Sequence, residues 1–233
     1  MSGSLEGKPP INPISHFKKA HLLTALIFCL FGCTISPSRK LIAGGAIEPE
    51  IAASALIGNP KEGFPAVPNV NVGVRYGVTD VLNVGASLNP MTLLVEGTVM
   101  AEPYAVLGVV RQKARRPSVN LHGSFPLLIS PPNREVVCFP LLGLTPSWTT
   151  DRSIWYVTFE GSFDKKTYER GIDPHFTVRG GWESALQPRL SLVLEAGLAN
   201  IGRESIITNA DFGQPILAVG LCRTLLRGKE GLE

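Results

Sequence analysis

From Asn69 onward, apolar and polar residues alternate at every second position. Val70, Val72, Val74 and Tyr76 are interleaved with Asn71, Gly73 and Arg75, the period of a strand with one apolar face. Gly77-Val-Thr-Asp80 supplies turn chemistry, and Leu82, Val84, Ala86 and Leu88 then resume the alternation until Asn89-Pro90 breaks it. The rhythm predicts further strands at Thr92–Val99, Tyr104–Arg111, Ser118–Phe125, Glu135–Leu142, Ile154–Glu160, His175–Glu183, Leu190–Leu198 and Pro215–Arg223. Pro103, Pro117, Pro131-Pro132, Pro146, Pro174 and Pro188 are expected between these runs, where they cost no ladder hydrogen bond. No run beyond Cys33 combines helical periodicity with the length and caps of a stable helix. The pattern predicts an all-β chain, a single antiparallel up-and-down β-barrel of about eight to ten strands.

Composition agrees with short strands and many turns. The chain has 233 residues, only 18% of them charged, with 24 glycines and 19 prolines. Its formal charge of +3 has no clustered basic face, which argues against nucleic acid as a partner. The sequence has no CxxC, no HExxH and no Cys/His cluster, so neither metal nor cofactor is expected. Cys138 and Cys222 read as free, apolar-facing thiols.

Upstream of the alternation, Lys18-Lys19 precedes an uncharged apolar stretch from Leu22 to Gly32 that ends at Cys33. The stretch is too short to span a bilayer and has the form of a secretory h-region. Leu30-Phe31-Gly32-Cys33 resembles the lipobox of bacterial lipoproteins, which implies cleavage before Cys33 and lipidation of that cysteine. The expected organisation is therefore a signal peptide with an extended leader over 1–32, a lipid-anchored tether over 33–68, a barrel over 69–225 and a disordered tail over 226–233. The tether carries at most one short helix or strand around Ile47–Leu56.

The alternation separates two faces without saying which is inside. Leu190, Leu192, Leu194 and Leu198 oppose Ser191, Glu195 and Gly197, and Trp155, Val157 and Phe159 oppose Tyr156, Thr158 and Glu160. A soluble barrel buries the apolar face, whereas a membrane barrel turns it to lipid around a polar lumen. The export signal, the glycines on the polar face and the aromatics near strand ends favour the second arrangement. Arg75-Tyr-Gly-Val-Thr-Asp-Val-Leu-Asn-Val-Gly85 and Gly181–Gly197 resemble hairpins that recur in Gram-negative outer-membrane β-barrel proteins. The resemblance implies a location in the outer membrane with membrane lipids as partners; lipopolysaccharide is a further candidate, through the phosphates that Lys113-Ala-Arg115-Arg116 could touch, and the pattern names no protein partner.

Several residues are candidates for chemistry. Arg179 lies between strands carrying Glu160 and Glu195, so with Arg75 these charges form a possible lumen ladder, either a selective constriction or a salt-bridged plug. A barrel of this size has room for little more than side chains, which favours the plug. His122-Gly-Ser124 is faintly similar to the His-x-Ser-Asn motif of outer-membrane lipid A deacylases, with Phe125 in place of Asn. The pair falls on the polar face, away from any lipid. Trp148, Trp155, Trp182, Tyr76 and Tyr104 read as an interfacial girdle, and Lys113-Ala-Arg115-Arg116 as a solvated basic turn. The reading reached is a non-enzymatic, lipid-anchored outer-membrane barrel of structural or narrow-pore type. Two alternatives stay open: a periplasmic lipoprotein with a soluble barrel binding an apolar ligand, and a lipid A deacylase-like enzyme.

Overall fold

The computed structural model describes residues 35–57, 66–131, 135–138, 140–165, 172–201 and 214–225. The signal segment, Cys33 and the tail over 226–233 lie outside these residues. Ten antiparallel strands close into a ring. In chain order they are β1 (Ile47–Ile57), β2 (Ala66–Gly77), β3 (Leu82–Asn89), β4 (Val99–Val110) and β5 (Ser118–Ser124). Two short strands, β6 (Leu127–Ser130) and β7 (Glu135–Cys138), form a hairpin on the end of β4. The ring resumes with β8 (Leu141–Thr149), β9 (Ser153–Lys165), β10 (Ile172–Gln187), β11 (Leu190–Ile201) and β12 (Gln214–Arg223). β1 pairs with both β2 and β12, which closes the first strand onto the last.

Two differences from the sequence reading have local causes. The span read as a tether contains β1, a full member of the ring that is extended from Ile47 and matched residue for residue against β2. Its low-contrast sequence, Ala52-Ala53-Ser54-Ala55, hides the alternation, although Ala52 and Ser54 are buried and Ile51 is exposed. Conversely, Thr92–Val99 is not a strand, because its residues fall mostly in α1 (Pro90–Glu96). The Asn89 side chain accepts hydrogen bonds from the backbone N–H groups of Met91 and Thr92, and Pro90 opens the first turn. Gly97 closes the helix in the left-handed conformation at φ 65°.

The strand expected at Glu135–Leu142 also moves, with Glu135–Cys138 in the β6–β7 hairpin and Leu141–Thr149 in the ring, so ten strands result from one loss, one gain and one shift, and different connections share a rim. The β2–β3, β8–β9 and β10–β11 turns now lie on one rim, together with the basic turn 111–117. α1 and the β6–β7 hairpin lie on the other, where β11 ends and β12 begins. Strand pairing shortens the Ser162–Pro174 connection, since β9 and β10 run on to pair Lys165 with Ile172.

Some of the prolines expected between strands lie within them. Pro103 sits where β4 changes partner, from β6 at Ala101 to β5 at Tyr104, and its carbonyl accepts from Phe125 N–H at 3.0 Å. Pro146 falls where the β8–β9 ladder skips a step between Leu144 and Ser147. At both places the missing N–H interrupts no continuous ladder.

The burial pattern settles the two faces. Glu48, Glu50, Arg75, Glu102, His122, Glu160, Arg179, Glu183 and Glu195 are buried inside the ring. Ile51, Val74, Leu107, Leu121, Leu144, Phe159, Leu194 and Val219 are exposed on its outer wall. The chain puts its charges in and its aliphatic side chains out.

Candidate functional site

The lumen is filled by the chain's own N-terminal side. Residues 35–40 enter the ring and make a single 3-10 turn at Pro37–Arg39. Ile35, Ser36, Ser38 and Arg39 are almost wholly inaccessible to solvent. Apart from the Ser36 carbonyl, which accepts from Arg39 within the turn, the polar contacts of this segment run to lumen-facing positions of the wall. Ser36 N–H donates to Glu195 Oε1 at 2.7 Å, and its hydroxyl lies 2.6 Å from that of Thr158. The Ser38 hydroxyl is bonded to Thr145, and the Ser38 carbonyl accepts from Asn120 Nδ2 at 2.8 Å. Ile35 supplies the apolar contact, packing on Ala52, Tyr156, Val193 and Cys222.

Arg39 is the centre of the first charged cluster. Its Nε donates to Glu183 Oε2 at 2.8 Å, and its Nη2 lies 3.3 Å from Glu48 Oε1 and 3.2 Å from Glu50 Oε2. The same Nη2 donates to the Cys222 sulfur at 2.9 Å. Lys40 pairs with Glu48 at 3.0 Å and also with Glu183. Arg75 pairs with Glu48 and donates to the carbonyls of Pro37 at 2.7 Å and Lys40 at 3.0 Å. Three cations thus face three carboxylates, and each buried charge has a partner within the cluster.

The second cluster contains the predicted ladder. Arg179 bridges Glu160 and Glu195, with the Glu195 contact at 3.4 Å. Tyr156 Oη donates to Glu195 Oε1 at 2.7 Å. His122 Nε2 stands 3.2 Å from Glu160 Oε1 without hydrogen-bond alignment, and Glu102 and Ser124 lie in the same group. Arg75, placed in the ladder by sequence, belongs instead to the Arg39 cluster, because β2 lies across the ring from β9 to β11. Glycines make room for the large lumen side chains. A Cβ on Gly143 would overlap the His122 ring opposite it, and one on Gly181 would overlap Tyr156.

The remaining candidates divide by face. Ser124 and His122 both point into the filled interior, and Ser124 Oγ has no hydrogen-bond partner among the described residues, so no serine–histidine bond is formed. Tyr104, assigned to the girdle, is buried in the lumen, since it occupies an inward position of β4. Tyr76 and the tryptophans are outside. Cys138 and Cys222 are unpaired, and Cys222 is buried between the Ile35 cluster and the Arg39 guanidinium, so its surroundings are apolar on one side and charged on the other. Glu48, Glu50 and Cys222 offer ligand atoms within 4.8 Å of one another. Arg39 already occupies the space among these groups, a poor fit for a second cation. Sequence reasoning missed Arg39, Lys40, Glu48 and Glu50 because they lie in the span read as a tether. The alternation of Glu48 and Glu50 with Ile47, Pro49 and Ile51 was the available signal.

The chain's three tryptophans share one side of the ring and do not encircle it. Trp148 is opposite Trp155, Trp155 opposite Trp182, and Trp182 opposite Leu194, in one row across four strands near the short-turn rim. The Trp155 and Trp182 ring centroids are 6.1 Å apart.

No protein-family model and no curated protein matches this sequence. Among solved structures, the chain is similar to the translocator domain of the autotransporter NalP from Neisseria meningitidis, at 9% identity and a TM-score of 0.46, covering 90% of this chain and 95% of that one. It is also similar to the outer membrane protease OmpT from Escherichia coli, at 11% identity and a TM-score of 0.40, covering 77% and 94%. A de novo designed transmembrane β-barrel gives 16% identity and a TM-score of 0.33, covering 78% and 97%. Likeness at this level transfers no activity, and what the chain does has to be argued from its own wall and lumen.

Proposed function

We propose that this protein is an outer-membrane β-barrel of structural or narrow-pore type, without enzymatic activity, whose lumen is closed by its own N-terminal segment. The observation that carries the reading is the inversion of the two faces. A water-soluble barrel with Leu194, Val219, Phe159 and Trp155 on its outer wall would expose a continuous apolar band, while enclosing Arg39, Arg75 and Arg179 with six glutamates. In a bilayer the same wall is the stable arrangement, since strands of a closed ring satisfy their backbone groups among themselves. The distribution of connections fits too: short turns suit the periplasmic rim and the longer segments the outer one. On that orientation Lys113, Arg115 and Arg116 lie at the rim of the phospholipid leaflet and contact its headgroups, not lipopolysaccharide.

The soluble ligand-binding alternative requires an apolar interior, and this one is polar and occupied. The deacylase alternative requires His122 and Ser124 to reach acyl chains, and both face inward. The test is the accessibility of neighbouring positions on β11. A cysteine replacing Leu194 is expected to react with a lipophilic probe dissolved in the bilayer, and one replacing Glu195 to resist a bulky polar maleimide. Rapid labelling at 195 together with silence at 194 would make the barrel a soluble one.

Lipidation at Cys33 is part of the proposal and stands on the Leu30–Cys33 motif. Cells fed radiolabelled palmitate should label the protein, and Cys33→Ser should abolish the label. Labelling that survives the substitution removes the anchor and leaves the barrel untouched.

A further inference from the structure

The outer wall carries a groove of about 880 Å3 above the tryptophan row. Its floor is Gly180 paired with Ala196, and its sides are Val157 next to Gly180 and Leu217 next to Ala196. Trp155 and Trp182 form its lower edge, two residues toward the short-turn rim. The groove exists because two consecutive strands present almost no side chain at one outward level.

Gly180 is the telling residue. Inward glycines such as Gly85, Gly143 and Gly181 are required by the large side chains of Tyr104, His122 and Tyr156. A Cβ on Gly180 would come no closer than 4.0 Å to anything, so nothing in the protein demands glycine there. Glycine weakens a strand interior and is found where another molecule comes close to the backbone. The groove is continuous with the apolar wall, and its outward-facing residues Val157, Gly180, Trp182, Leu194, Ala196 and Leu217 offer no charge to a partner. The tryptophan edge is at the level where indole rings prefer the headgroup boundary.

We propose that this groove seats one acyl chain of a phospholipid from the leaflet at the short-turn rim, with the chain lying on Gly180 and Ala196 and the ester region beside Trp155 and Trp182. The proposal rests on the membrane reading above. A chain held there is surrounded on three sides by protein, in contrast to lipid elsewhere around the wall, and should leave more slowly.

Because all three tryptophans border the groove, their fluorescence reports on it. The full-length protein is refolded into vesicles of phosphatidylcholine brominated on its acyl chains, then transferred to unbrominated detergent and washed. Wild type is expected to be quenched in vesicles and to stay partly quenched after the transfer. A Gly180→Leu/Ala196→Leu variant, which fills the groove, should lose its quenching in detergent. Full recovery of wild-type fluorescence on transfer, equal to that of the filled variant, overturns the site. A control with the three tryptophans changed to phenylalanine and Leu107→Trp on the far wall reads the membrane claim separately. No quenching of that control in vesicles means that the wall does not meet lipid at all. Quenching of the control without quenching of the native tryptophans means that a second copy covers this face, which also overturns the acyl-chain site. Folding of each variant is checked by heat-modifiable migration.

Discussion

Arg179 holds two carboxylates from different strands, Glu160 on β9 and Glu195 on β11, and all three side chains are buried. Arg179→Ala leaves both acids facing each other in a confined interior, and breaking a buried pair in this way typically costs about 3–5 kcal/mol. Thermal unfolding in detergent should show a clear loss, partly restored when Glu160→Gln is added to the same molecule. A single mutant that melts like wild type would mean that these side chains do not share a desolvated lumen. This contact was legible in the sequence because alternation alone puts residues 160, 179 and 195 on one face of neighbouring strands. The assignment of Arg75 to the same ladder failed because its strand lies across the ring, a separation that no spacing along the chain reveals.

Among the elements, α1 decides how the ring is read. Its signals were short: Asn89-Pro90 at one end, Gly97 at the other, and apolar residues between that suit a strand equally well. Seven residues are too few for helical periodicity to prevail over alternation, so the caps were the only discriminating feature. Gly97→Ala forces an L side chain into the left-handed region, at a cost of about 1–2 kcal/mol. A lowered unfolding midpoint in urea, with barrel content by circular dichroism unchanged, is the expected result. No change in midpoint would show that α1 contributes nothing to the stability of the rim. The segment 35–40, like β1, is an element that local pattern could not identify. It has no periodicity, and its structure consists of one 3-10 turn whose hydrogen bonds go almost entirely to distant strands.

For the whole molecule, that segment separates a closed barrel from an open one. In the ring, Arg39, Lys40, Arg75 and Arg179 stand against Glu48, Glu50, Glu102, Glu160, Glu183 and Glu195. Removing residues 1–40 takes away two of the four cations and the side chains that fill the space between strands. Planar-bilayer recordings should find the full-length protein silent and the truncated one conducting, with preference for cations because carboxylates then line the passage. Equal silence from a folded truncated barrel would show that the strands alone close the lumen. The sequence by itself determined the β class, a barrel of about eight to ten strands, the two faces of most of them and the meeting of Arg179 with its glutamates, all consequences of a period of two along the chain. Only the tertiary structure decided which face is inside, because alternation is symmetric between a soluble and a membrane barrel. It alone placed Arg39 among Glu48, Glu50 and Glu183, since ring closure brings together residues with no spacing in common, and it alone gathered the three tryptophans on one wall.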